Sequence, residues 1–166
     1  MWNLIRENKI VSYFLTVLRV LLGATWLIDG WNKLTMSGGF HLDSVIKMLI
    51  AQPVTSTFSD RAAFPWFNAF VKWTTSNGQS ATDMSLWANV LLWGEIIVGL
   101  LLILGALTTI ASLGAIALNL TYLGFGLISK NPTELVIAFV ILTAGYNAGK
   151  WGLDYFISPW VRQKIR

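Results

Sequence analysis

The chain has 166 residues, of which 55% are hydrophobic and 12% are charged, and its formal net charge is +4 at pH 7. Soluble domains carry about 25% charged residues, so the composition excludes an ordinary soluble protein and predicts a membrane domain. Without cysteine the chain makes no disulfide, thiolate metal site or iron–sulfur cluster, and one histidine, His41, excludes bis-histidine haem and multi-histidine metal sites. The basic residues lie within or beside apolar runs, so the charge does not indicate nucleic acid.

Four segments are long and apolar enough to cross a bilayer, at about residues 11–34, 84–106, 108–128 and 133–157. Arg19 interrupts the first apolar run, which predicts a retained helix and not a cleaved signal peptide. Basic residues lie near both ends of the chain, at Arg6 and Lys9 and in the tail from Arg162 onwards. By the positive-inside rule both termini are cytoplasmic. We therefore predict a single domain over residues 1–166, an all-α, antiparallel four-helix transmembrane bundle in the cell membrane.

The long connection at about residues 35–83 lies outside the membrane in this topology, and its length and apolar character predict structure. Two short amphipathic helices are expected, at residues 44–51 after a cap at Asp43 and at residues 65–74. The second helix carries aromatic residues at i, i+4 and i+7, namely Trp66, Phe70 and Trp73. Such a face serves either as an interfacial anchor or as a lid over a site.

Six ionisable residues lie within or at the ends of the predicted spans, namely Arg19, Asp29, Lys33, Glu95, Lys150 and Asp154. An unpaired charge at the centre of a membrane helix costs about 2.5–3.5 kcal/mol on insertion scales, so we expect these residues to pair. Asp29 and Lys33 are four residues apart and can bridge each other on one helix. The predicted result is a polar interior near the cytoplasmic half of the bundle.

Each predicted span has a face that suits the bundle interior. Arg19, Trp26, Asp29 and Lys33 share one face of the first span, and the fourth span carries a single stripe of Thr143, Asn147, Lys150 and Asp154. Small residues at fourfold spacing predict close helix packing, at Gly145 with Gly149 and at Ala111 with Ala115.

This polar interior has two interpretations. The charges either fix helix register as buried ion pairs or form a site for an anionic or carbonyl-bearing ligand. In the second interpretation Arg19 and Lys150 donate hydrogen bonds to the ligand, and Glu95 or Asp154 accepts or relays a proton. The candidate catalytic residues are Glu95, Asp154 and Arg19. The candidate ligand-binding residues are Arg19, Trp26, Asp29, Lys33, Trp93, Asn119, Tyr122, Asn147 and Lys150. No metal site is expected, and His41 is assigned to the loop surface.

Three sequence segments resemble the motifs of the DoxX family. The run LRVLLGATWLIDGWNKL (residues 18–34) resembles the family's opening signature. The run WGEIIVGLLLILGALTTIAS (residues 93–112) resembles its glutamate-containing second helix, and AGYNAGKWGLD (residues 144–154) resembles its last motif. The family's polar positions correspond to Arg19, Lys33, Glu95, Lys150 and Asp154.

The extended outer loop makes the chain similar to the DoxD-type branch, which includes a membrane subunit of thiosulfate:quinone oxidoreductase. The resemblance implies a four-helix cell-membrane protein linked to quinone, as a diffusible substrate or bound ligand. It also implies thiosulfate or a related sulfur anion as the candidate electron donor. A second oxidoreductase subunit and a homo-oligomer are the candidate protein partners beside the lipid bilayer.

The sequence leaves three functional hypotheses. The first is a quinone-linked oxidoreductase, or its membrane subunit, that needs no bound metal. The second is a non-catalytic membrane protein that binds a partner or lipid and uses its charges for assembly. The third is a small transporter or proton conduit, which four spans suit poorly because alternating access ordinarily needs more helices.

Overall fold

The computed structural model describes residues 2–57 and 59–156, and only the backbone at residues 2–4 and 60. The predicted basic tail, with Arg162, Lys164 and Arg166, lies outside the described residues. Within the described residues the helices are α1 (Trp2–Glu7), α2 (Lys9–Leu34), α3 (Asp43–Ala51), α4 (Pro65–Thr74), α5 (Ala81–Leu104), α6 (Thr108–Gly124), α7 (Asn131–Ala144) and α8 (Tyr146–Gly149). A two-stranded antiparallel sheet joins β1 (Thr55–Ser56) to β2 (Ser59–Ala62).

Local capping defines the ends of the two longest helices. The side chain of Asn8 accepts hydrogen bonds from the backbone N–H of Ile10 at 2.8 Å and of Val11 at 3.2 Å, which starts α2. Ser80 accepts from the N–H of Asp83 at 3.3 Å at the start of α5. At its other end α5 stops at Gly105, whose φ of 62° is the left-handed conformation that glycine adopts readily.

Helices α2 and α5 are each long and apolar enough to cross a membrane. Helices α6 and α7 are also apolar but have only 17 and 14 residues, about 25 Å and 21 Å of length. A hydrocarbon core is about 30 Å thick, so α6 and α7 are short for a full crossing. The mainly helical fold is confirmed, and the four-span bundle remains a prediction.

The exterior of the helices is apolar while several charged groups are buried. Arg19, Glu95, Glu134 and Asp154 are each 6% exposed or less. The outward faces instead carry large apolar side chains, which include Phe14, Leu21, Ile28, Val90, Ile97, Leu100, Ile110, Leu113, Leu120, Val136 and Phe139. A water-soluble protein would expose its charged side chains and bury its large apolar ones. A lipid environment favours the opposite arrangement, which is the one observed.

Helices α2 and α5 pack with their backbones in close contact at glycines. A Cβ atom on Gly23 would lie 2.8 Å from the carbonyl oxygen of Gly99, and one on Gly99 would lie 2.7 Å from the backbone nitrogen of Leu27. Small residues allow such an approach. Of the small residues expected to allow close packing, Ala111 and Ala115 are buried.

The predicted continuous helix at residues 133–157 is wrong, because α7 ends at Ala144. Gly145 has φ 56° and ψ −129°, and a Cβ atom there would have no neighbour within 4 Å, so this glycine ends a helix and mediates no close packing. After α8 the chain bonds to the end of α5, with Leu153 N–H donating to Leu104 at 3.0 Å and Asp154 N–H donating to Gly105 at 2.7 Å. Residues 143–154 therefore form no single helical stripe.

The long connection between α2 and α5 contains both predicted helices, α3 and α4. Helix α4 spans the predicted residues, whereas the predicted cap at Asp43 is wrong because Asp43 is already helical and follows the cap residue Leu42. The buried face of α4 consists of Phe67, Asn68 and Val71, and Phe67 packs edge-on against Phe125 at 5.2 Å between ring centroids. The aromatic stripe predicted for α4 faces outward, as expected for an anchor, with Trp66 and Trp73 68% and 80% exposed.

Candidate functional site

A buried cluster of polar side chains joins helices α2, α5 and α6. Lys33 Nζ forms an ion pair with Glu95 Oε1, and the Tyr122 hydroxyl donates a hydrogen bond to the same oxygen. Lys33 Nζ also donates to the Tyr122 hydroxyl oxygen at 2.9 Å. The side chain of Glu95 is 1% exposed and that of Lys33 is 20% exposed. We call Lys33, Glu95 and Tyr122 the central triad.

Local packing explains how the triad assembles. Gly30 lies one turn before Lys33, and a Cβ atom there would lie 3.2 Å from the backbone nitrogen of Ile96 and 3.3 Å from the Cβ of Glu95. A larger residue would hold the two helices apart at this level. Glycine thus lets Lys33 on α2 reach the carboxylate on α5.

Aromatic rings enclose the ammonium group of Lys33. Its Nζ lies 5.1 Å from the ring centroid of Phe40 and 4.7 Å from that of Tyr122. Both distances are within the range of a cation–π contact, which further stabilises the charge.

A second ionic cluster joins Asp29, Lys130 and Glu134, which we call the outer cluster. Lys130 Nζ lies 2.5 Å from Asp29 Oδ2 and 3.4 Å from Glu134 Oε1. Lys130 belongs to the turn before α7, and Glu134 lies buried in its first turn. Neither residue is among those predicted from the sequence, although a carboxylate four residues after a lysine at the start of an apolar run is a detectable signal.

The predicted bridge between Asp29 and Lys33 is wrong. Asp29 pairs with Lys130 and Lys33 pairs with Glu95, so each residue has a partner from another part of the chain. Spacing along one helix shows only which contacts are within reach. Lys33 pairs with the buried carboxylate of Glu95 on the facing helix α5, and not with Asp29 on its own helix.

The outer cluster predicts a pH-dependent contribution to stability. Burial disfavours the charge on Lys130, but its hydrogen bond to Asp29 and the charges of Glu134 and Asp29 outweigh this effect and raise its pKa above the ordinary value for lysine. A raised folded-state pKa stabilises the protein fully below the unfolded-state pKa, and this contribution is lost as pH rises through the folded-state value. Lys130→Met should therefore be less stable than the parent between about pH 7 and pH 10, with a difference that shrinks at higher pH. Thermal unfolding in detergent over a pH series measures this.

The matched control for that series is Lys72→Met, which removes an exposed lysine from α4. The control should show a small difference that pH hardly changes. A Lys130→Met difference that stays constant through the alkaline range would contradict the assigned ionic role.

Beside the triad lie buried polar atoms without hydrogen-bond partners among the described residues. They are Glu95 Oε2, Trp26 Nε1 and Asn119 Oδ1. Trp26 is 1% exposed and stacks on Tyr122 at 6.2 Å between centroids with a 22° interplanar angle. Asn119 uses its amide nitrogen to donate to the Ala115 carbonyl at 2.9 Å. Buried polar atoms are ordinarily paired, so these three are available to a ligand that offers complementary groups.

Arg19 and Asp154 lie at the other end of α5. Arg19 is 1% exposed and its Nη1 donates to the Leu102 carbonyl at 2.7 Å. Leu102 is seven residues beyond Glu95, about 10 Å along the helix. Asp154 accepts from the backbone N–H of Leu107 at 2.7 Å and of Thr108 at 2.9 Å, and so caps the start of α6. The structure does not bring this pair together with Glu95.

Three other predicted site residues also lie away from the triad. Trp93 is 51% exposed and faces outward, so it forms no wall of the interior. Asn147 is buried and donates to the carbonyls of Ile5 at 2.8 Å and Asn8 at 3.2 Å, which ties α8 to the start of α2. Lys150 lies on the segment after α8, where it lines a separate pocket. Of the predicted set, the structure brings together Trp26, Lys33, Glu95 and Tyr122, and Asn119 lies one turn before Tyr122 on α6.

A helical protein with an apolar exterior and buried ion pairs is a membrane protein. The chain matches the DoxX family model over residues 14–126, which is more than half of its length, and it belongs to the DoxX family. The matched region contains the central triad. No curated protein and no solved structure matches the chain.

Proposed function

We propose that the protein is a quinone-linked oxidoreductase, or the membrane subunit of one, and that quinone binds beside the central triad. The observation that carries this proposal is the buried carboxylate of Glu95, whose Oε1 is bonded while its Oε2 has no partner among the described residues. The indole N–H of Trp26, whose ring stacks on Tyr122, likewise has no partner among them. Acceptor and donor atoms are thus both available in an interior surrounded by lipid-facing helices.

The polar atoms suit the chemistry of a quinone. A quinone carbonyl accepts hydrogen bonds, and the indole N–H of Trp26 can donate one. A quinol hydroxyl donates, and Glu95 Oε2 can accept. The rings of Trp26 and Tyr122, which stack on each other, are the aromatic groups of this part of the interior.

Each residue of the triad has a defined task in this proposal. Quinone supplies two-electron, two-proton redox chemistry when it is bound. Glu95 holds or releases a proton at Oε2, while Lys33 balances its charge at Oε1 and Tyr122 fixes the orientation of the carboxylate. The surrounding apolar side chains exclude water and strengthen these interactions.

The electron donor and the membrane topology are further parts of the proposal. Thiosulfate or a related sulfur anion is the candidate donor, as the resemblance to the DoxD-type branch implies. Four crossings with both termini in the cytoplasm would complete the arrangement. A second subunit is the candidate site of donor oxidation, as the resemblance to the same branch implies.

Quinone extraction tests the proposal. The protein is purified gently from membranes, extracted with organic solvent, and its quinone is quantified by mass spectrometry. We expect about one quinone per chain in the parent and about tenfold less in Trp26→Phe and Glu95→Gln, because each variant removes a buried polar partner of the ligand.

Trp93→Phe is the matched control, because it makes the same chemical change at an outward-facing tryptophan. It should retain the parent amount of quinone. If the parent carries no quinone and binds none that is added, the redox proposal fails and a non-catalytic role in assembly or lipid binding is favoured. Addition of thiosulfate to quinone-loaded protein, with the absorbance of the quinone followed, tests the donor separately.

A further inference from the structure

A pocket separate from the central triad lies on the segment that follows α8. It has a volume of about 290 Å³ and is lined by Lys150, Trp151, Gly152, Tyr155 and Phe156. Its lining thus combines one cationic side chain with aromatic rings. Tyr13 on α2 stacks on Trp151 at 4.8 Å between centroids with a 16° interplanar angle, which fixes one wall.

Lys150 differs from the two lysines of the ionic clusters. Lys33 and Lys130 each contact a carboxylate, whereas Lys150 forms no ion pair or hydrogen bond with any described residue. Its side chain is nevertheless half-buried. A cation near a membrane that has no partner within the described part of the chain favours an anion from its surroundings.

The position of the pocket indicates where that anion comes from. Leu153 N–H donates to the carbonyl of Leu104, so the segment lies level with the end of α5. Membrane helices end near the headgroup region, where tryptophan and tyrosine are enriched because their rings have both apolar and polar parts. Trp151, Tyr155 and Phe156 are 45%, 57% and 71% exposed, and so are available to lipid.

We propose that this pocket binds an anionic phospholipid, with its phosphate on Lys150 and its glycerol and upper acyl chains on the aromatic rings. Charge complementarity favours the phosphate, and the apolar walls favour a lipid over free inorganic phosphate. This proposal is independent of quinone binding, because the pocket and the triad share no residue.

Native mass spectrometry of the protein in detergent tests the lipid site. The sample receives equal amounts of phosphatidylglycerol and phosphatidylcholine, and retained lipid is counted per chain. We expect the parent to retain phosphatidylglycerol preferentially, Lys150→Gln to weaken this retention about tenfold, and Lys150→Arg to keep most of it because the charge remains. Lys72→Gln, on the exposed side of α4, is the matched control and should behave like the parent.

The lipid preference of the parent protein is by itself a test of the proposal, so the test does not depend on whether a variant folds. Equal retention of the two lipids by the parent would contradict it, as would unchanged selectivity in folded Lys150→Gln. Displacement of the lipid by millimolar inorganic phosphate would assign the pocket to free phosphate instead. Loss of lipid selectivity with quinone content unchanged, or the reverse, separates this site from the proposed quinone site.

Discussion

Lys33→Met is expected to lower the free energy of unfolding by about 3–5 kcal/mol, the largest effect among the charge substitutions. The substitution leaves Glu95, whose side chain is 1% exposed, as a buried carboxylate without its cation. The hydrogen bond from Tyr122 remains but carries no opposite charge. Unfolding of the variant in detergent, followed by circular dichroism against denaturant, measures the loss.

A double-mutant cycle shows whether the loss comes from the pair. Lys33→Met combined with Glu95→Gln removes both charges, so the double variant should be more stable than Lys33→Met alone. Strictly additive effects of the two substitutions would contradict the ion pair. His41→Gln is the control, because it breaks an exposed contact of 3.9 Å with Asp43 and should change stability by less than about 1 kcal/mol.

The sequence predicts helices well where a long apolar run has a local start or stop signal. The first predicted span, at residues 11–34, corresponds to α2 at Lys9–Leu34, and the span predicted at residues 84–106 corresponds to α5 at Ala81–Leu104. Hydrophobicity and capping act within a few residues, so they can be read directly. This explains why the helical class of the fold is predictable.

The break at Gly145 was not predictable in the same way. The residues around it remain apolar, and a single glycine within a helical pattern is compatible with a continuous helix. The chain turns here because Leu153 and Asp154 bond to the end of α5, about fifty positions earlier in sequence. Contacts between such distant residues are not visible in a local pattern.

Candidate site residues are easier to predict than their partners. A charge inside an apolar run must be buried or paired, which identified Lys33, Glu95 and Asp29 before any geometry was known. Which of these charged residues form ion pairs with each other depends on the arrangement of the helices. The pairs of Lys33 with Glu95 and of Asp29 with Lys130 follow from that arrangement and not from spacing.

The arrangement of α2 against α5 depends on the close contact of their backbones at glycines. Gly99→Ala is therefore expected to destabilise the protein by about 1–3 kcal/mol. An added Cβ would lie 2.7 Å from the Leu27 nitrogen and 2.9 Å from the Gly23 carbonyl oxygen. These are backbone atoms, so the two helices must move apart. This cost exceeds the gain of about 0.5–1 kcal/mol that alanine ordinarily brings to a helix.

Gly94→Ala on the same helix is the matched control for Gly99→Ala. Its nearest neighbour would be Leu118 Cδ2 at 3.2 Å, the end of a flexible side chain that can shift. The control should leave stability unchanged or raise it, because the helix-forming gain is the same while the steric cost is small. Thermal unfolding of the two variants in one detergent gives the comparison. If Gly99→Ala were as stable as Gly94→Ala, the helices would not pack backbone to backbone, and Lys33 would not be held opposite Glu95 by this contact.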